Sequence, residues 1–89
     1  MAELVFSESA DETLGALETD PQSVQAVARI WDALEDLAED PSASSVRTRS
    51  YQNGPWGFLV RDGDEDWLVL WQTGPGADEV TILYLGPDI

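Results

Sequence analysis

Eighty-nine residues carry 18 acids against four basic residues and no histidine, for a net charge of −14 and a pI near 4.1. A chain this short supports one domain, expected over 1–89, and 43% hydrophobic residues with four tryptophans exclude the disordered class. The absence of both cysteine and histidine excludes disulfides, thiolate and imidazole metal sites, haem and His-dependent triads, so no metal or cofactor is expected.

The start, Met-Ala-Glu-Leu-Val-Phe, lacks the basic and apolar regions of a secretory signal, and no run of about 18 apolar residues follows. A soluble, cytoplasmic protein is therefore expected, with no membrane partner. Leu4, Val5 and Phe6 form a short apolar run that predicts the first strand. Ser9 and Glu12 have the spacing of a capping box, which predicts a helix over 10–18 with Leu14 and Leu17 inward. Asp20-Pro21 is a second helix start: Asp caps, and Pro at the first helical position loses no needed N–H. This helix is expected to run to 39. Val24, Val27, Ala28, Trp31, Leu34 and Ala38 recur at three- and four-residue steps, and Ile30 and Leu37 widen the stripe. Asp32, Glu35, Asp36 and Glu39 take the opposite face, and Pro41 stops the helix.

Beyond Pro41 the period changes. After a Ser-rich linker, 46–51 alternates as a strand, and Gln-Asn-Gly-Pro (52–55) is a turn cluster. Strands are expected at 56–61, 66–72 and 80–85, separated by Asp-Gly-Asp-Glu (62–65) and Thr-Gly-Pro-Gly (73–76) turns. The fold class is α+β: an N-terminal strand, a helical hairpin, then an antiparallel β-meander with the helices on one face. Both faces of the meander are apolar. Phe58 and Val60 alternate with Leu59, Trp67, Val69 and Trp71 with Leu68 and Leu70, and Ile82 and Tyr84 with Leu83 and Leu85. A sheet open on one side normally shows polar residues there. The second face is therefore either covered by a loop, a helix or a subunit twin, which leaves a homodimer open, or is a platform for another chain.

The acid is uneven. Residues 1–40 hold eleven acids and one arginine, net −10; residues 41–89 hold seven acids and three arginines, net −4. Lysine is absent, and the cations are Arg29, Arg47, Arg49 and Arg61. Such a field repels a phosphate backbone, so direct binding to duplex nucleic acid is not expected. The charge reads either as a host-wide surface habit or as acid that meets a basic partner or imitates a nucleic acid. Composition alone does not separate the two.

Trp-Gly-Phe-Leu-Val-Arg (56–61), an acidic turn, Trp-Leu-Val-Leu-Trp-Gln (67–72) and Val-Thr-Ile-Leu-Tyr-Leu-Gly (80–86) resemble the C-terminal meander of the RelE/ParE toxin superfamily. The helix pair ending at Leu37 to Pro41 fits the same pattern, so the resemblance spans nearly the whole chain. It implies a toxin of a type II toxin–antitoxin pair, with an antitoxin partner. RelE-like members cleave mRNA on the ribosome, and ParE-like members poison DNA gyrase. An antitoxin helix would sit on the apolar sheet and the groove beside the helices, with Leu59, Leu68, Leu70, Trp31 and Leu34 as candidate contacts.

The ribonuclease machinery does not carry over. Where those members hold phosphates with basic residues, this chain has Gly57, Leu59 and Leu68, and Pro87 and Asp88 replace the basic residues after the last glycine. Arg61 remains, and alternation predicts that Arg47 and Arg49 share its face. Those three arginines either neutralise acids such as Asp62 and Asp66 or form the remnant of an anion site. RNA cleavage needs one group to take the 2′-hydroxyl proton and another to protonate the leaving oxygen. Arg61, Arg49, Arg47 and Tyr84 are the weak catalytic candidates, with Tyr51 or a carboxylate beside them, so an mRNA endoribonuclease is not the favoured reading. The alternative function is an acidic mimic of nucleic acid, a phage-type decoy whose helix acids at 32–40 occupy the channel of a basic enzyme. Gly-Pro-Gly (74–76) is a turn without the lysine of a phosphate cradle, and the 62–66 acids lack the spacing of a calcium loop.

Overall fold

The computed structural model describes residues 2–50, 54–63, 65–74, 76 and 78–87. Strand β1 (Glu3–Phe6) leads through Ser7 directly into α1 (Glu8–Glu18). Ser7, not Ser9, is the cap: its Oγ accepts from the Ala10 N–H at 3.2 Å and donates to the Leu83 carbonyl at 2.9 Å. Ser9 lies inside the first turn, because the extended backbone of Ser7 already ends the strand and opens the helix. Asp20 caps the next segment as expected, accepting from the Gln22 N–H and the Ser23 hydroxyl, both at 3.0 Å. A 3₁₀ turn (Pro21–Ser23) precedes α2 (Val24–Glu39).

The buried stripe of α2 is Ala26, Ile30, Leu34, Leu37 and Ala38. The expected stripe is thus rotated about the helix axis, leaving Ala28 exposed and Val24 65% exposed. The helix stops where Asp40 turns away. Its carboxylate accepts from the Ser42 hydroxyl (2.6 Å) and N–H (3.1 Å), which hold its pKa below the ordinary 3.8.

A second 3₁₀ turn (Ser44–Val46) takes the first residue of the expected 46–51 strand, Arg47 and Thr48 are irregular, and among the described residues of that stretch only β2 (Arg49–Ser50) is extended; Tyr51 lies outside the described residues. The cause is Trp71. Its indole Nε1–H donates to the Val46 carbonyl at 2.7 Å, drawing that carbonyl out of any ladder. Strands β3 (Trp56–Asp62), β4 (Glu65–Thr73) and β5 (Glu79–Pro87) form the expected antiparallel meander. Asp62 pairs with Glu65 across the first hairpin, where Gly63 takes φ +62°, a conformation that favours glycine. The sheet order is β1-β5-β4-β3-β2, with β1 parallel to β5.

One face of this sheet carries the core. Phe58, Val60, Val69, Trp71, Val80, Ile82 and Leu85 meet Ala10, Leu14, Ile30, Leu34 and Leu37 of the helices. Helix α1 lies against β5 and α2 against β3. Fully burying each large side chain contributes roughly 1.5–3 kcal/mol. A β-bulge shifts the β4–β5 register: Leu70 faces Tyr84 while Trp71 faces Ile82, so Leu83 is the extra residue. Ile82 therefore shares the core face with Leu85 rather than with Tyr84, correcting the simple alternation.

Candidate functional site

The sheet face turned away from the helices is the candidate site. Register places Leu59 opposite Leu68, Gly57 opposite Leu70, Leu70 opposite Tyr84, and Leu68 opposite Gly86. A contiguous apolar strip thus runs across the three strands of the meander. Leu59 is 38% exposed, Leu70 and Tyr84 are half-buried, and Leu68 is nearly covered. Tyr84 lies back along its own strand, its hydroxyl donating to the Pro87 carbonyl at 3.2 Å. A Cβ at Gly86 would come 2.9 Å from the Tyr84 ring, so glycine is what lets the ring pass over this position.

Two arginines border this strip. Arg61 pairs across strands with Asp66, Nε to Oδ1 at 3.1 Å, and Arg49 stands opposite Gly57 on β2. Four strand positions separate them along β3, roughly 13 Å at a strand's rise. Arg47 is not with them. Its Nε donates to the Pro41 carbonyl at 2.7 Å, and its guanidinium lies over the Trp56 and Trp71 rings at 4.7 and 5.5 Å. Because 46–48 is not a strand, alternation does not govern it, and the expected cluster of three reduces to Arg49 and Arg61. Arg29 bridges α2 to Asp62 at 3.3 Å. None of the four arginines is without a partner.

Trp31 and Leu34 lie on the opposite side of the sheet. Leu34 is fully buried and offers no surface in this fold, so it leaves the set of candidate contacts. Trp31 is half-buried and packs edge-on against Phe6, with ring centroids 6.0 Å apart. Their helical spacing marks the core stripe, which periodicity alone does not distinguish from a docking stripe. Among the described residues no three His, Cys, Asp or Glu side chains gather to hold a metal, and no helix is long and apolar enough to cross a membrane. Asp62 and Asp66 of the acidic turn are each engaged by an arginine.

The architecture is an α+β layer: β1 runs parallel to β5, two helices cover one face of the sheet, and an apolar strip crosses the other. No protein-family model matches the sequence. No curated protein matches it either. The fold has a known counterpart: a chain of the crystal structure of the intact E. coli RelBE toxin–antitoxin complex matches with a TM-score of 0.70, covering 100% of this chain and 99% of that one. Identity between the two is 12%, so the likeness is one of fold. The chain has a RelE-like fold.

Proposed function

We propose that this protein is a RelE/ParE-like toxin, or a homologue of one, that acts in the cytoplasm mainly by protein contact and is held by an antitoxin partner, with ribonuclease activity weak or absent. The observation that carries this reading is the outer sheet face. Where ribonuclease members of the superfamily place cations, this face presents Gly57, Leu59 and Leu68, and the nearby Arg61 is an exposed side chain paired through Nε with Asp66. A transferring phosphate needs positive charge preorganised around it and a proton acceptor within reach. An apolar strip in a protein of net charge −14 offers neither, but it suits an amphipathic helix. Inhibition of a protein target such as gyrase is compatible with this surface; cleavage of mRNA on the ribosome is not.

Induced expression should arrest growth, and co-expression of a small protein encoded beside it in the genome should relieve the arrest. Harmless expression with no co-purifying neighbour contradicts the reading. Absence of arrest together with tight, steeply salt-sensitive binding to a basic nucleic-acid enzyme would instead support the decoy alternative. Because Leu59 is exposed, Leu59→Asp should leave the fold intact and weaken partner binding about tenfold or more, measured by titration calorimetry.

A further inference from the structure

A second concavity lies where the start of β1, the last turns of α2 and the start of β5 meet. Ala2, Leu4 and Ala38 line a cleft of about 560 Å³ whose sides carry Glu35 and Glu39. An adjoining cleft of about 350 Å³ shares Ala2, Ala38 and Glu39 and adds Asp40, Asp78 and Glu79.

This arrangement concentrates like charge around an apolar floor. Glu35 and Glu39 are four apart on one helix face, a repulsive spacing. Among the described residues no ion pair engages Glu3, Glu35, Glu39 or Asp78. Arg47 also lines the adjoining cleft, its guanidinium held by the Pro41 carbonyl and the two tryptophan rings. Its charge favours the ionised Asp40, so the carboxylates that face a partner are Glu35, Glu39 and Asp78. Small residues on the floor leave room for a large apolar side chain from outside, and the rim repels any anionic flank.

We infer that this cleft docks a cationic amphipathic segment of the protein partner. An apolar side chain sits over Ala2, Leu4 and Ala38, and Lys or Arg residues beside it meet Glu35, Glu39 and Asp78. The inference rests on the proposed action by protein contact and adds the chemistry of the partner: its docking segment is basic. Charge complementarity selects that occupant over an acidic or neutral one, and it speeds the encounter.

The probe is a synthetic amphipathic helix with leucine at i, i+3, i+4 and i+7 and lysine elsewhere, alongside a sister peptide with glutamate for lysine. Each is titrated by fluorescence anisotropy against the full chain, and amide shifts are mapped by NMR. The lysine peptide should bind, the glutamate peptide should not, and shifts should centre on Ala2, Leu4 and Ala38. Glu35→Lys with Glu39→Lys should weaken binding about tenfold or more, whereas Asp11→Lys with Glu12→Lys on α1 should change it less than about threefold. Both pairs lie at exposed positions and alter net charge equally, so equal losses would show a response to total charge and overturn the site. No binding of the lysine peptide, or shifts centred on Leu59 and Leu70, would overturn it as well. The last result, with growth arrest relieved by the neighbouring gene, would leave the proposed function standing while removing the cleft from it.

Discussion

Trp71 combines the two things a large core residue can contribute. It is completely buried, and its indole N–H ties β4 to the Val46 carbonyl in the segment that precedes β2. Trp71→Phe should cost about 2–4 kcal/mol, from the cavity and from a buried carbonyl left without a donor, read as a lower urea midpoint. Asp40 gives a pH-dependent counterpart. Its pKa is lowered in the folded chain by Ser42, so the stability it contributes is present above the unfolded pKa and is lost as pH falls through the folded one. In Ser42→Ala the Asp40 carboxyl should titrate closer to 3.8, followed by its carbon chemical shift in NMR. At this scale the sequence was partly legible. Alternation marked Leu59, Leu68 and Leu70 as one strip, and register confirms that they share a face. The placement of Arg47 was not legible, because it depends on two tryptophans distant along the chain.

At the scale of elements, the helix starts illustrate what local rules decide. Both Ser7 and Ser9 are chemically able to cap, and the choice falls to Ser7 because its hydroxyl also reaches Leu83, 76 residues along the chain. Ser7→Ala should destabilise the protein by about 1 kcal/mol, while Ser9→Ala should stay within about 0.5 kcal/mol, compared by thermal melts. The meander strands were legible from their apolar runs and glycine turns. Three features were not: the parallel pairing of β1 with β5, the bulge at Leu83, and the shortening of β2. Each is set by contacts between distant segments, which period and propensity do not encode. The acid-rimmed cleft follows from the first of these, since Asp78 and Glu79 reach Glu39 only when β5 lies beside β1.

Across the whole molecule, a net charge of −14 on 89 residues makes self-repulsion a standing cost. Adding NaCl toward about 0.5 M should raise the Tm and then level off, because the screening length falls below about 10 Å once 0.1 M is passed. A Tm that falls with salt would mean that favourable ion pairs dominate, contrary to the two exposed pairs observed among the described residues. The outer face of the sheet is lined by Leu59, Leu68 and Leu70, with Gly57 between them, and under the proposed function it is a surface for protein contact and not for a phosphate. That reading is tested most directly by incubating the purified protein with mRNA-programmed ribosomes and reading cleavage by primer extension. No cut sites above background are predicted; cleavage that disappears in Arg61→Ala would contradict the account.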